Sequence, residues 1–196
     1  MQKPDAPSCG RNREAILAVF KHHLKGSEKL LEIGSGTGQH AVYFAEKFPN
    51  LIWNTSDRKE NHLGIELWLA DAKLTNLVAP ISFEVGHDPF PGKNFDAVFT
   101  CNTLHIMSWH KGRTLLKLLG ENLEQSALVF IYGPFNYAGK FTSESNQQFE
   151  GWLKSRDPDS GIRNFEDVES EMAKSGFSLL EDRALPANNR MLVFSK

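Results

Sequence analysis

Leu30-Leu31-Glu32-Ile33-Gly34-Ser35-Gly36-Thr37-Gly38-Gln39-His40 is the stretch that decides the fold of this chain of 196 residues. An apolar run from Lys29 to Ile33 leads into three glycines at alternate positions, and the periodically apolar segment 41–48 follows. This order predicts a buried strand, a tight glycine turn and a helix, the opening unit of a nucleotide-binding sheet. Glycine permits positive φ and a close ligand, and the free N–H groups of the helix start suit a carboxylate or a phosphate.

The glycine spacing separates two classes of nucleotide cofactor. The dinucleotide fingerprint G-x-G-x-x-G/A needs a small residue at its sixth place, where this chain has Gln39. The spacing is instead G-x-G-x-G, with Glu32 two places before the first glycine. This pattern resembles motif I of the class I S-adenosylmethionine (SAM)-dependent methyltransferases. The Glu32 carboxylate suits a ligand with an ammonium group and would repel a pyrophosphate. Gln39 and the hairpin predicted at the end of the chain disfavour an NAD-dependent oxidoreductase.

Predicted strands and helices alternate up to Tyr132, and two further strands close the chain. The alternation predicts an α/β protein with a mostly parallel, seven-stranded sheet and helices on both faces. The last two strands, around Pro186-Ala187-Asn188-Asn189, match the C-terminal antiparallel hairpin of the Rossmann-like class I methyltransferase fold. Residues 1–10 are expected to be irregular. Strands are predicted at 29–33, 51–55, 81–85, 95–101, 128–132, 177–183 and 191–194, and helices at 13–24, 41–48, 63–74, 112–121, 144–155 and 165–174.

Length and composition limit the class of protein. With 40% hydrophobic and 11% aromatic residues in 196, we expect one globular domain over residues 1–196. The net charge of −2, without a Lys or Arg cluster, argues against nucleic acid as a partner. Cys9 and Cys101 form no disulfide framework, and the histidines lack metal-ligand spacing. Without a signal-peptide core or a long apolar run, the protein is expected to be cytoplasmic and to bind no membrane.

Acidic residues follow two predicted strands where they could contact a nucleotide. Asp57 ends the second strand, about twenty residues after the glycine turn, where a carboxylate can accept hydrogen bonds from both ribose hydroxyls. Methyltransferases often carry an acidic residue several places before a Pro-aromatic-Pro loop, and it receives the adenine amino group. By that spacing Glu84 matches better than Asp88, although either could be an ordinary turn residue.

Asn102 and His105 follow the fourth strand, at the edge where parallel sheets bind ligands. Asn102 can bond the polar end of a cofactor. It is not followed by Pro-Pro-aromatic, which disfavours enzymes that methylate amides or adenine amino groups. His105 could take a proton from a hydroxyl, thiol or amine, because its unperturbed pKa lies near physiological pH. Alternatively, it packs under the cofactor and holds Asn102, and the sequence leaves both roles open.

The region after Tyr132 is expected to carry the acceptor pocket. The regular alternation stops there, and polar, glycine-containing loops follow, which tend to carry specificity. We expect residues 133–163, together with Arg11 and Asn12, to form a lid. Arg163 could bind an acidic group of the acceptor or the methionine carboxylate of the cofactor, or it could be a solvated surface residue. Aromatic residues suit a substrate wall and are equally consistent with core packing.

A string of further motifs narrows the resemblance to one family. The chain resembles an uncharacterised, domain-of-unknown-function branch of the class I SAM-dependent methyltransferases, found in bacteria and animals. Two departures are visible: the chain has Arg13-Glu14-Ala15 where the family usually has an acid and a proline after Arg-Asn, and Glu84 stands in place of the third-strand Asp. The motifs are Arg11-Asn12-Arg13, Gly36-Thr37-Gly38-Gln39-His40-Ala41, Asn102 with His105, Tyr132-Gly133-Pro134-Phe135, Gly139-Lys140, Ser145-Asn146, Gly161-Ile162-Arg163 and Pro186-Ala187-Asn188-Asn189.

The resulting hypothesis is a methyltransferase that uses SAM, with S-adenosylhomocysteine as product, on a small-molecule acceptor. A non-catalytic SAM-binding sensor or partner subunit is the alternative. His105 is the predicted catalytic residue, and no metal is expected. The oligomeric state cannot be predicted. The predicted cofactor-binding residues are Arg11, Asn12, Glu32, Gly34, Ser35, Gly36, Gly38, Asp57, Glu84, Val85 and Asn102, and the predicted substrate-binding residues are Trp109, Tyr132, Tyr137 and Arg163.

Overall fold

The computed structural model describes residues 3–196, with six α-helices and nine strands in that part of the chain. A single 3₁₀ turn, Lys59–Asn61, precedes the third helix. The helices are α1 (Pro7–His23), α2 (Gln39–Lys47), α3 (His62–Ala72), α4 (Trp109–Asn122), α5 (Glu144–Arg156) and α6 (Phe165–Lys174). The strands are β1 (Lys29–Ile33), β2 (Ile52–Asp57), β3 (Leu77–Ser82), β4 (Ala97–Cys101), β5 (Leu128–Gly133), β6 (Phe135–Asn136), β7 (Arg163–Asn164), β8 (Ser178–Leu185) and β9 (Asn189–Ser195).

Seven of the strands form one sheet in the order β3-β2-β1-β4-β5-β9-β8. The strand β1 runs parallel to β2 and β4, and β2 runs parallel to β3. The strands β8 and β9 form an antiparallel hairpin, and β9 also pairs antiparallel with β5. The predicted α/β class, the mostly parallel seven-stranded sheet and the C-terminal hairpin are confirmed. The short strands β6 and β7 pair separately in parallel.

The chain divides into two compact units, of which the first ends at Thr100. Its core contains a cluster of fully buried aromatic rings from four elements, and β1 lies between two of those elements in the sheet. Large aromatic side chains bury much apolar surface and favour tilted and edge-to-face pairs, which fix the angles at which helices meet the sheet. The members are Phe20 of α1, Phe44 of α2, Trp53 of β2 and Phe99 of β4, with ring centroids 4.9 to 6.3 Å apart.

The second unit begins at Cys101 and has its core around the strands β5 and β9. Val129 and Phe130 of β5 and Leu192 and Phe194 of β9 are completely buried. Because both strands are buried on both faces, their sequences read as continuous apolar runs without alternation. In this unit β6 follows β5 after the single residue Pro134.

The largest differences from the predicted boundaries are in α1 and β3. Helix α1 begins at Pro7, within the segment predicted to be irregular, because proline lacks an N–H that the first helical turn would leave unpaired. The third strand ends at Ser82, so residues 83–85 follow it and do not form it. Pro80 within this strand counts against a strand in sequence terms, but β3 lies at the sheet edge, where proline is tolerated.

Two helical glycines provide a matched test of the packing in the second unit. A Cβ at Gly120 of α4 would lie 2.5 Å from the backbone oxygen of Ser175, whereas at Gly151 of α5 it would meet nothing within 4 Å. We therefore expect Gly120→Ala to destabilise the protein, in spite of the better helix propensity of alanine. Gly151→Ala should stabilise it by about 0.5–1 kcal/mol. Urea denaturation of both variants measures the change in the free energy of unfolding. An equal change in the two variants would contradict the close packing at Gly120.

Candidate functional site

The three glycines of the turn after β1 serve different physical purposes. All three have positive φ: +75° at Gly34, +59° at Gly36 and +87° at Gly38. A Cβ at Gly38 would lie 3.1 Å from the backbone of Ile65, so its small size lets α2 pack closely on α3. Gly36 is exposed, and a Cβ there would meet nothing within 4 Å. Of these two glycines, Gly36 is therefore the one with room for a ligand beside the backbone.

The end of β2 holds the glycine turn in place. The N–H groups of Gly34 and Ser35 both donate to the carbonyl of Ser56, at 2.9 and 3.0 Å. The Ser35 hydroxyl in turn accepts from the Ser56 N–H at 3.2 Å. Ser35 is buried and holds the turn against β2, in addition to its predicted contact with a cofactor.

Asp57, the last residue of β2, directs its carboxylate to the glycine turn. One oxygen, Oδ2, accepts from the Gly36 N–H at 2.7 Å. The other, Oδ1, accepts from the Arg58 N–H and from Nδ2 of Asn61, both at 2.7 Å. A carboxylate offers about four lone-pair sites, so these three bonds leave about one for a ligand. Binding of two ribose hydroxyls would require one of the present donors to move away.

Glu32 of β1 is buried and does not face solvent. Its carboxylate is only 1% exposed, and Oε2 accepts from the indole N–H of Trp53 at 3.0 Å. Burial raises the pKa of Glu32 to about 7, while the hydrogen bonds from Trp53 and Ser35 partly offset this effect. The carboxyl group is therefore partly protonated at neutral pH, and a cation nearby would favour its ionised form.

The N-terminal segment, residues 3–12, lies against the helices that follow the glycine turn and β2. Oε1 of Gln39 accepts from the Ala6 N–H at 2.6 Å. The indole N–H of Trp68 donates to the Pro4 carbonyl at 2.8 Å, and Nε2 of His40 donates to Oδ1 of the buried Asn12 at 2.8 Å. Gln39, the residue that excludes the dinucleotide fingerprint, thus anchors this segment. Arg11 is exposed beside Asn12.

Cys9, His40 and Asn12 have the connectivity of a cysteine-protease triad, but their electrostatics differ. Sγ of Cys9 lies 3.8 Å from Nδ1 of His40, whose other nitrogen donates to Asn12. Burial and the carboxylate of Glu32 raise the pKa of the Cys9 thiol to about 11, and burial lowers the pKa of His40 to about 4. A nucleophilic cysteine needs the opposite shifts, so this cluster has a packing function.

The loop after β3 contains the two residues predicted to contact adenine. Oδ2 of Asp88 accepts from the Glu84 N–H at 2.8 Å, and Oδ1 accepts from Nδ1 of His87 at 3.0 Å. These bonds, led by the one from His87, hold the pKa of Asp88 below its usual value. The Asp88 carboxylate thus closes the turn, which favours Glu84 for the adenine contact. Val85 is buried in the same loop.

In the second unit, Asn102 and His105 lie close together around Gly133. Asn102 has a left-handed φ of 57°, and its N–H donates to the carbonyl of Tyr132 at 2.8 Å. A Cβ at Gly133 would lie 3.4 Å from Nδ1 of His105 and 3.8 Å from Oδ1 of Asn102. Gly133, the last residue of β5, therefore lies directly against the two polar residues that follow β4. A left-handed asparagine is a recurring feature of functional sites.

The imidazole of His105 is buried and neutral. It is 5% exposed and lies edge-to-face against the ring of Phe149, with centroids 5.3 Å apart. Burial, with the positive charge of Arg163 as a second cause, lowers the pKa of His105 to about 4. At neutral pH the ring can therefore accept a proton, although it is a weaker base than an exposed histidine.

Arg163 of β7 stabilises the loop that contains His105. Its guanidinium donates to the carbonyls of Leu104 at 3.1 Å, of Asp159 at 3.1 Å and of Met107. The side chain is half-buried, and burial lowers its pKa. These bonds use three of the five N–H groups of the guanidinium, so the predicted contact of Arg163 with an acidic group stays a prediction. The Gly161 N–H adds a bond to the His105 carbonyl at 2.9 Å.

The three aromatic residues predicted to line the substrate pocket have packing partners. Tyr132 is 4% exposed, and the guanidinium of Arg163 lies 5.8 Å from the ring centroid of Trp109. The Tyr137 hydroxyl donates to Oδ2 of Asp182 at 2.7 Å, and its ring stacks on Phe165 at 5.2 Å. The sequence analysis did not identify Asn136 or Phe149; Asn136 directly follows the Tyr132-Gly133-Pro134-Phe135 motif, which was the available signal.

A few features are defined by what residues 3–196 do not contain. No group of three or more metal-ligating side chains occurs there. None of the helices in this range is long and apolar enough to cross a membrane. Both cysteines are free thiols.

Substitution of the buried Glu32 should change how stability depends on pH. Its pKa is higher in the folded than in the unfolded chain, so its contribution to stability is full below about pH 4.5 and is lost as the pH rises through 7. Glu32→Gln removes this dependence. As the pH rises from 5 to 8, we expect the free energy of unfolding of the variant to increase by about 2–3 kcal/mol relative to that of the wild type. Urea denaturation at both pH values, with the exposed Glu66→Gln as control, measures this; parallel pH profiles for wild type and Glu32→Gln would contradict it.

Solved structures similar to this chain share its fold. SibL, a SAM-dependent methyltransferase in its apo form, superimposes with a TM-score of 0.80 and 20% identity over 96% of this chain and 55% of SibL. An O-methyltransferase family 2 protein from Planctomyces limnophilus, in complex with apigenin, has a TM-score of 0.77 and 16% identity over 86% of this chain and 50% of its own. Human N-acetylserotonin methyltransferase, in complex with SAM, has a TM-score of 0.77 and 15% identity. The match covers 96% of this chain and 52% of the human protein.

This chain spans about half the length of those three proteins, and at these identities the likeness establishes the fold alone. Family membership follows from a separate comparison. The sequence profile described as "Protein of unknown function (DUF938)" matches residues 3–196. The chain therefore belongs to the DUF938 family and has the class I methyltransferase fold.

Proposed function

We propose that this protein is a SAM-dependent methyltransferase that acts on a small-molecule acceptor. The observation that carries this proposal is the Asp57 carboxylate beside the exposed, open Gly36 in a G-x-G-x-G turn. A carboxylate at the end of β2 suits the two hydroxyls of a ribose, and an open glycine suits a ligand close to the backbone. The structural neighbours, which are methyltransferases, support the same reaction type.

The residues of the first unit fit this cofactor in charge as well as in space. Glu32 and Asp57 provide two carboxyl groups near a turn that would receive a cationic ligand. A pyrophosphate would be repelled by the same groups. We propose that Gly34, Ser35 and Gly36 contact the methionine part, Asp57 the ribose, and Glu84 and Val85 the adenine. Arg11, Asn12, Gly38 and Asn102 complete the predicted set.

The chemistry requires little acid–base catalysis from the protein. When bound, SAM supplies a methyl group that is already activated by the sulfonium. The main task of the chain is to align the nucleophile, and positioning of this kind can supply most of the rate enhancement. His105 is our candidate to hold the proton of the nucleophile, since its buried ring is neutral at pH 7. Such a base adds a factor of about 10²–10⁴.

The alternative is a SAM-binding sensor or partner subunit without catalysis. Both functions use the glycine turn and Asp57, but only the enzyme needs His105 and an acceptor pocket. The three bonds of Arg163 and the Gly161 bond to the His105 carbonyl maintain one geometry of the His105 loop. A protein that only senses SAM would not require this, so we favour the enzyme.

We further propose that residues 1–196 function as one methyltransferase domain. The acceptor is a small molecule, and neither nucleic acid nor a membrane is a proposed partner. We place the protein in the cytoplasm on the grounds of its composition. Methyl transfer from labelled SAM into fractionated metabolite extracts, followed by mass spectrometry of the labelled product, tests the function; no labelled product in any fraction, with SAM bound, would favour the sensor.

Cofactor binding provides the first quantitative prediction. Asp57→Ala should weaken SAM binding about thirty- to a hundredfold, the scale of lost hydrogen bonds to a charged group. Asp96→Ala is the matched control, because the Asp96 carboxylate also accepts two backbone N–H groups but lies beside the first residue of β1, Lys29. Its SAM affinity should be unchanged. Isothermal calorimetry with SAM, S-adenosylhomocysteine and NAD measures this, and tight NAD binding without SAM binding would refute the proposal.

The role of His105 can be separated from that of the loop around it. If His105 is the base, His105→Ala should retain SAM affinity and slow methyl transfer about a hundred- to ten-thousandfold. Because the pKa of His105 is lowered to about 4, the rate should be flat from pH 6 to 8, without a limb near 6.5. A limb near 6.5 that disappears in the variant would contradict the buried environment. A loss of SAM affinity with an unchanged chemical step would indicate a structural role.

A further inference from the structure

Asn136 of β6 has a buried polar atom without a partner. Its side chain is 8% exposed, and Oδ1 has no hydrogen-bond partner within residues 3–196. Native proteins satisfy nearly all buried polar atoms, since an unpaired one costs free energy. Oδ1 of Asn136 is the one such side-chain atom among the described residues. It therefore marks a position where a group from outside the chain can complete a hydrogen bond.

The position of Asn136 connects it with the predicted chemistry of the second unit. It lies three residues after Gly133, so the two Cα atoms are at most about 10 Å apart. Gly133 lies against Nδ1 of His105 and Oδ1 of Asn102. The ladder partner of Asn136 is Asn164, whose carboxamide donates to Asp167 at 2.9 Å and not to Oδ1 of Asn136. We call Asn102, His105 and Asn136 the acceptor patch.

The chemistry of this patch favours a neutral ligand that donates hydrogen bonds. Two carboxamide oxygens and a neutral imidazole can each accept a hydrogen bond. A carboxylate or phosphate offers only acceptor atoms, which cannot complete a hydrogen bond with Oδ1 of Asn136. The ring of Phe149 against His105 adds an apolar surface that suits an aromatic ligand.

We propose that Asn136 is a substrate-binding residue whose Oδ1 accepts a hydrogen bond from a hydroxyl or N–H group of a neutral methyl acceptor. This inference rests on the proposed function, because it takes the ligand to be the acceptor. It narrows the acceptor class to phenols, alcohols and neutral amines and excludes simple carboxylates and phosphates.

The first test compares two buried asparagines of the second unit. Asn146 is 5% exposed and donates to Thr142 and to the Asn188 carbonyl, so it is buried like Asn136 but bonded. Asn136→Leu should leave the melting temperature unchanged or raise it, whereas Asn146→Leu should lower it. A fall in melting temperature for Asn136→Leu equal to that for Asn146→Leu would mean that Oδ1 has a structural partner such as a buried water, and would overturn the proposal. Should Asn136→Leu not fold, Asn136→Ala gives the same comparison.

The second test compares the affinities of three probes, phenol, anisole and benzoate. Binding is monitored by the NMR chemical shifts of residues 132–137. Phenol should bind about three- to tenfold more tightly than anisole, which lacks the donor, and than benzoate. This preference should disappear in Asn136→Leu and persist in Asn146→Leu. Equal affinities in wild type, a preference that survives in Asn136→Leu, or no phenol-induced shifts would each overturn the proposal.

Calorimetry with SAM on the same variants separates this inference from the proposed function. SAM binding that is absent in wild type would refute the methyltransferase, whatever the phenol result. SAM binding that is equal in wild type and Asn136→Leu, with loss of the phenol preference, is the result expected for an acceptor subsite.

Discussion

The link between the glycine turn and the end of β2 is the constraint on which the candidate site depends. The Ser56 carbonyl accepts from Gly34 and Ser35, and the Asp57 carboxylate accepts from Gly36. These bonds hold a glycine backbone at positive φ, and they leave one face of Gly36 open. The aromatic cluster packs α1 and α2 against β2 and β4. A cofactor site of this kind is therefore a property of two strands and their packing as much as of the glycines.

Burial, more than direct charge pairing, determines the electrostatics of both units. The pKa of Glu32 is raised, those of His40 and His105 are lowered, and the Cys9 thiol is kept protonated, with loss of solvation as the largest cause each time. The consequence is a set of neutral or partly neutral groups at pH 7. A ligand of opposite charge would favour the ionised form of each of these groups.

Arg163 combines a predicted binding role with bonds to the backbone. It donates to the carbonyls of Leu104 and Met107, on the two sides of His105 in the sequence, and to that of Asp159. The Gly161 N–H donates to the His105 carbonyl. Around Gly133 lie Nδ1 of His105 and Oδ1 of Asn102, and both types of atom can accept a hydrogen bond. Together with Oδ1 of Asn136, they lead us to propose a neutral molecule with a donor group as the acceptor.

The sequence alone determined the fold, the glycine turn, Asp57 and the C-terminal hairpin, because these depend on local signals: apolar periodicity, glycine spacing and turn residues at fixed positions. It also indicated Asn102 and His105, which leave β4 at a predictable sheet edge. The start of α1 and the position of β3 were missed, since a helical Pro7 and an edge-strand Pro80 are tolerated for reasons of context. Only the tertiary structure decided that Glu32 is buried against Trp53, that Arg163 bonds to three backbone carbonyls, and that Oδ1 of Asn136 lacks a partner. Those properties depend on which distant residues surround a side chain and on how much water they exclude, and no local pattern in the sequence carries that information.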